Sequence, residues 1–159
     1  GYGQLDWKIR SDPRVVVMER TNIRYVTPEQ LGEPLDLSVI DVSFISLKIV
    51  LPAVKALLKP TGQVVCLIKP QFEAGKDKVG KKGVVRDPAT HREVLEQFIA
   101  LAHEQGFCIL GLTFSPVKGP EGNIEFLAHL TLTDAAEHCP EPAEVVRQAH
   151  ETLDKGADL

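Results

Sequence analysis

The chain has 159 residues, 43% hydrophobic and 25% charged, with a formal net charge of −4, which fits one globular domain with a genuine core and excludes a disordered chain. Its longest apolar run falls far short of the roughly 20 residues that span a bilayer, and no basic-then-apolar leader opens it, so a soluble, cytoplasmic protein without a membrane segment is expected. Cys66 and Cys108 lie in apolar runs and Cys139 stands apart, with no Cys-x-x-Cys pair, so buried inert thiols are expected and no metal site.

Leu5 and Ile9, with Trp7 between them, fit a short helix ending near Ser11-Asp12-Pro13. RVVVMER, from Arg14 to Arg20, reads as a buried strand. Asn22 follows its carboxyl end, either as a polar group for a ligand base or ribose or as a turn residue that needs no ligand. Thr27-Pro28-Glu29 opens a helical turn with proline at its first position, closed by Gly32 to Pro34. Leu37 to Val42 and Val64 to Ile68 are nearly unbroken apolar runs, the pattern of parallel strands covered on both faces. Between them, Leu47, Val50, Leu51, Val54, Leu57 and Leu58 recur at helical spacing behind Ser43 or Ser46 as cap. Pro52 predicts a kink, or a helix regular only from Leu51, and Lys59-Pro60-Thr61-Gly62 is the return turn. The result is a βαβ unit with Asp41 and Lys69 at the carboxyl ends of neighbouring strands, where open α/β sheets bind ligands.

From Ala74 to Pro88 the composition is that of a mobile surface loop, rich in glycine and lysine. Between Lys69 and Arg92 there are seven basic residues against three acidic ones, a local +4 that leaves −8 on the rest of the chain, so positive charge gathers beside the proposed crevice. A helix starting at Asp87 or Thr90 carries Val94, Leu95, Phe98, Ile99, Leu101 and Ala102 as far as Gln105-Gly106. Phe107 to Phe114 and Ile124 to Leu132 read as antiparallel neighbouring strands. The polar TDAAEHCPEP stretch leads to an amphipathic helix from Ala143 to Leu153, with Val146, Ala149 and Leu153 on one side. His91, His103 and His138 read as surface residues, and His129 as a sheet-face residue. The expected organisation is one domain over 1–133, then a polar linker and helix over 134–159.

Glu125 opens an otherwise apolar strand, and a carboxylate there demands a partner. With Asp41 and Lys69 it makes an acid, base, acid group at strand ends. That group is either a structural ion cluster or a reactive site.

IDVSFISL, IKPQFEAGK, GVVRDPATH and GPEGNIEFL, with GYGQLDWKIRSDPRV and MERTNIRY near the start, resemble the catalytic domain of the TlyA or hemolysin A family. Its members are FtsJ-like, S-adenosylmethionine-dependent ribose 2′-O-methyltransferases of ribosomal RNA. The resemblance covers Gly1 to Leu132. It implies an α/β, Rossmann-like methyltransferase sheet, mostly parallel with an antiparallel carboxyl-terminal strand. It also implies a Lys-Asp-Lys-Glu tetrad whose Asp, second Lys and Glu fall on Asp41, Lys69 and Glu125. The family's first lysine and its glycine-rich cofactor turn have no counterpart here, so the resemblance implies a sheet truncated at its amino end and a chain weak or inactive alone.

The resemblance further implies S-adenosylmethionine as cofactor, with Asn22, Asp41, Val42 and Ser43 as pocket residues, and ribosomal RNA or a ribosomal subunit as partner. Lys76, Lys78, Lys81, Lys82 and Arg86 would meet RNA phosphates, and Phe72 would stack on a base or plug the sheet end. An open sheet edge predicts self-association. Two other readings stay open: a non-catalytic RNA-binding module, and a membrane-active hemolysin, for which no membrane-length segment speaks.

Overall fold

Arg14–Arg20, expected as a buried strand, is turn and irregular chain and joins no sheet. The structure, a computed structural model, describes residues 1–154, and residues 155–159 of the expected carboxyl-terminal segment lie outside it. In the amino-terminal stretch a single turn of helix, α1 (Trp7–Arg10), is capped by the Asp6 side chain. The segment after it is tied back by a hydrogen bond from the Arg20 amide to the Gly1 carbonyl and by an Arg10–Glu19 ion pair. Val16 is largely exposed. An apolar run becomes a strand only where an edge accepts its hydrogen bonds, and this one lies against none. The next turn of helix, α2 (Pro28–Leu31), follows the sequence closely: Thr27 and Gln30 form a capping box and Gly32 ends the turn at a positive φ.

The sheet is built from β1 (Leu35–Ile40), β2 (Leu58–Ile68), β3 (Cys108–Phe114) and β4 (Phe126–Thr131) in the order β1-β2-β4-β3. β1 and β2 are parallel, and β4 is antiparallel to both β2 and β3. Three strands therefore run one way and only β4 opposes them, the mostly parallel α/β arrangement read from the sequence.

α3 (Leu47–Lys55) crosses from β1 to β2, with Ser46 as its cap. It is already helical from Leu47, before Pro52, so it does not wait until Leu51 to become regular. The expected return turn lies inside β2. Lys59, Pro60 and Thr61 bulge out of a register that runs from Leu35–Leu58 to Leu37–Gln63. Gly62 sits where a Cβ would press on Leu58 and on the Lys59 carbonyl.

α4 (Pro70–Glu73) is a single turn after β2, α5 (Pro88–Glu104) starts at the Asp87 cap, and α6 (Pro142–Leu153) closes the described chain. One face of the sheet, with Val64, Cys66, Ile68, Phe126, Ala128 and Leu130, forms a core with α3, α5 and α6, including Val145, Val146 and Ala149 of α6. The opposite face departs from the expectation of a doubly covered sheet. On β1, Leu37 and Val39 are 51% and 72% exposed, because all three long helices among the described residues pack on the first face.

The glycine- and lysine-rich loop is less of a surface loop than its composition suggests. Val84 and Val85 are buried, held by Asn123, whose side chain accepts from the Val85 amide (3.0 Å) and donates to the Gly83 carbonyl (3.0 Å). The two valines supply enough apolar area to hold the loop down despite its lysines. His91, expected at the surface, is fully buried on α5 between the Val85 carbonyl (2.9 Å) and His150 (2.9 Å). Helical spacing places position 91 on the same side as Val94 and Leu95, which outweighs the polarity of the ring.

Candidate functional site

β1 ends at Ile40 and β2 at Ile68, so Asp41 and Lys69 leave the sheet at the same edge. Their side chains meet there: Lys69 Nζ lies 2.5 Å from Asp41 Oδ1, the lysine 12% and the aspartate 61% exposed. The lysine thus lays its stem against the sheet and presents its charged end at the rim. Lys69 Nζ also approaches Ser43 Oγ at 3.4 Å.

Glu125 comes to this edge from the opposite direction. Antiparallel pairing sets Ile68 against Phe126, so the residue after Ile68 and the residue before Phe126 lie side by side. Glu125 is 6% exposed, as the strand pattern required, but its partner is Gln71, whose Nε2 donates to Glu125 Oε2 at 2.8 Å. The three charged residues thus do not form one buried ion cluster. Two make an ion pair at the rim, and the third is buried beside it with an amide partner.

α4 links these parts. Pro70 is its buried first residue, Gln71 reaches Glu125, and Phe72 lies 4.9 Å, centroid to centroid, from Phe44. Glu73 Oε1 accepts from the Leu47 amide (2.9 Å) and Oε2 from the Ser46 hydroxyl (2.7 Å). Burial pushes the Glu73 carboxyl above its ordinary range against the pull of these two donors. The same burial, with Glu73 nearby, pushes the Cys66 thiol up to about 12, which makes it an inert core residue. Among the described residues no group of three or more His, Cys, Asp or Glu is placed to hold a metal.

Of the expected pocket residues, Val42 packs against the core and Ser43 lies beside Lys69. Asn22 caps a short 3-10 turn, Ile23–Tyr25, accepting from the Arg24 amide at 3.0 Å, which is the turn role open to it from the start. Lys76, Lys78, Lys81, Lys82 and Arg86 are all exposed; Lys78 is paired with Glu93 at 2.5 Å.

The residues that sequence reasoning passed over are Phe44, Gln71 and Glu73. Phe44 is 90% exposed and holds φ of 63°, a left-handed conformation that is uncommon for a bulky side chain. Nothing in VSFISL marks it, because aromatic residues in apolar surroundings read as core.

The FtsJ-like methyltransferase model matches residues 1–132. The chain is 49% identical over its whole length to a Bacillus subtilis protein named "Putative rRNA methyltransferase YqxC", covering 59% of that protein. Over 86% of its length it is also 49% identical to the Mycobacterium tuberculosis "16S/23S rRNA (cytidine-2'-O)-methyltransferase TlyA", covering 51% of it. It thus spans about half the length of these curated relatives. A solved structure, "Putative hemolysin from Streptococcus thermophilus", superposes with a TM-score of 0.90 at 47% identity, over 100% of this chain and 58% of that one.

Proposed function

The chain belongs to the FtsJ-like methyltransferase family, and from that premise we propose that it carries the acceptor-activating side of a ribose 2′-O-methyltransferase site for ribosomal RNA. The observation that supports this most is the Lys69–Asp41 ion pair at the carboxyl ends of two parallel neighbours, where a hydroxyl acceptor and a methyl donor can be brought together.

A ribose hydroxyl is a weak nucleophile, so positioning and charge supply most of the acceleration. Lys69 either holds the 2′-hydroxyl through a hydrogen bond or, in its neutral form, takes the hydroxyl proton as the oxygen attacks the methyl group. Asp41 fixes the direction of the Lys69 ammonium, and Glu125 supplies a buried negative charge on the far side of the same edge. Phe44 with Phe72 offers an exposed aromatic surface for the target base, and Lys76, Lys81, Lys82 and Arg86 meet phosphates.

When bound, S-adenosylmethionine supplies a methyl group on a positively charged sulfur. The residues present fit one side of such a group: the exposed Asp41 carboxylate suits a cation or a ribose hydroxyl, and Ser43 adds a hydroxyl beside it. Val42 lies between them in sequence. Asn22 has its side-chain oxygen committed to Arg24, which leaves only its amide hydrogens for a ligand.

A non-catalytic RNA-binding module is the second reading, favoured by the exposed basic loop. It predicts RNA binding that survives Asp41→Ala. A membrane-active role has less support: among the described residues no helix is long and apolar enough to cross a membrane, and α6 buries its apolar side in the core. Leakage of dye from liposomes on adding the protein would restore it. An enzyme acting on ribosomal RNA would work in the cytoplasm. β1 is an edge strand with no neighbour on its outer side among the described residues, which favours self-association, and sedimentation over a range of concentrations would reveal it.

The deciding experiment is calorimetric titration of S-adenosylmethionine into this chain and into a form extended to the full length of the relatives. Heat from either form, reduced by Asp41→Ala, supports the methyltransferase reading. If neither binds, that reading loses its donor.

A further inference from the structure

The carboxylate of Glu125 is contacted by two groups to which the reaction assigns no part. Gln71 donates to its Oε2. The backbone of Gly119 also comes so close that a Cβ there would overlap the same oxygen. Charge fixes which way round the amide lies: its carbonyl oxygen would be repelled by the carboxylate, so Nε2 faces Glu125. The consequence is that Gln71 Oε1 is sealed from water with no hydrogen-bond donor among the described residues. A buried acceptor without a donor is costly, and an apolar side chain of the same length avoids that cost. An amide kept there under those terms is explained by what its N–H group does, which is to aim Glu125.

We propose that Gln71 is a positioning residue of the methyl-transfer site, fixing the Glu125 carboxylate beside Lys69 through a single N–H···O hydrogen bond. The inference rests on the ribose methyl-transfer reading above and goes beyond it by adding a residue that never touches the substrate. Its geometry follows from α4. Pro70 pins the turn in the core, Gln71 stands two residues from Lys69 on that turn, and any displacement of Gln71 moves Glu125 relative to the ammonium. Gly119 leaves room for the carboxylate that a larger residue there would take.

The test has two readouts. The first is structural. In labelled protein the Gln71 side-chain amide protons are followed by nuclear magnetic resonance. One should be shifted downfield and slow to exchange, and both signs should vanish in Glu125→Ala; a fast-exchanging amide, indifferent to that substitution, overturns the proposal. The second is kinetic, using ribosomal subunits and S-adenosylmethionine. Gln71→Met should lower kcat about 10- to 100-fold, the scale of a small misplacement of a catalytic group, with KM for the RNA nearly unchanged. Gly119→Ala, which displaces the same carboxylate by another route, should lower kcat in the same way and serves if Gln71→Met does not fold. A Gln71→Met enzyme with the wild-type kcat overturns the inference. Absence of methyl transfer by the wild-type protein extended to the full length of its relatives overturns instead the reading it rests on, and the resonance experiment still decides whether Gln71 holds Glu125.

Discussion

Glu73 caps a helix it does not belong to: its carboxylate, at the end of α4, accepts from the amide of Leu47 at the start of α3. The Ser46 hydroxyl donates to the same carboxylate. The loop after Asp41 and the turn after Lys69 are thereby tied at one point, so the two sides of the ion pair cannot drift apart independently.

Replacing Glu73 with alanine should cost about 1–2 kcal/mol, the scale of a lost helix cap with a buried donor left unpaired. Glu73→Gln, which keeps an oxygen for the Leu47 amide, should cost less. The pH dependence has a definite sign. Burial raises the folded-state value of this acid above its unfolded value of 4.5, so its contribution is fullest below 4.5 and is lost as pH rises toward the folded value. Urea titrations at pH 4 and pH 7 should therefore show Glu73→Gln gaining on the wild type at the higher pH.

His91 acts in the opposite direction. Burial lowers its folded-state value below 6.5, assisted by the neighbouring His150 and opposed by the Val85 carbonyl and the charges of Asp154 and Asp87. A base with a depressed folded value gives stability that is whole above the unfolded value of about 6.5 and is lost as pH falls below it. The wild type should lose stability between pH 7 and pH 5, and His91→Gln should lose less over the same interval, as read from denaturant midpoints.

What the sequence made legible follows from how each feature is encoded. Asp41, Lys69 and Glu125 could be found because a charged residue at the end of an apolar run is a local anomaly. The helical turn opened at Thr27-Pro28 and the cap candidates Ser43 or Ser46 and Asp87 or Thr90, of which Ser46 and Asp87 serve, are equally local. The course of Arg14–Arg20 was not legible, because a strand is defined by its partner and a Val-rich run looks the same with or without one. Burial of His91 and of Val84-Val85 depends on Asn123 and His150, which are distant in sequence and carry no local mark. The Gln71–Glu125 contact was hidden for the same reason: it needs the β2–β4 register, which sequence pattern alone does not fix.

The basic loop makes a prediction about salt. If Lys76, Lys81 and Lys82 each neutralise a phosphate, replacing any one by alanine should reduce the slope of log affinity against log salt by about 0.7–0.9, with little change in folding. Lys78, already paired with Glu93, should contribute less until Glu93→Gln releases it. Filter binding of ribosomal RNA fragments at several salt concentrations measures both effects. Equal slopes for all four alanine variants and the wild type would remove the loop from the interface.

Phe44 provides the sharpest separation between stability and function. A bulky residue at φ of 63° carries a strain of about 1–2 kcal/mol that glycine does not pay. Its ring, 90% exposed, returns only the tilted contact with Phe72, about 0.5–1.5 kcal/mol for such a pair. These effects nearly cancel, so Phe44→Gly should leave the urea midpoint almost unchanged, which a residue kept for packing would not allow. Stacking of a base on an aromatic ring is worth about 1–3 kcal/mol, so the same substitution should weaken RNA binding by roughly 5- to 150-fold. Phe44→Trp, which keeps the aromatic face, should retain most of the binding. Strain held at an exposed aromatic residue beside the Lys69–Asp41 pair is the pattern expected where the backbone serves a ligand and not the core. Unchanged RNA affinity in Phe44→Gly would leave that strain without a function and move the target base elsewhere on the edge.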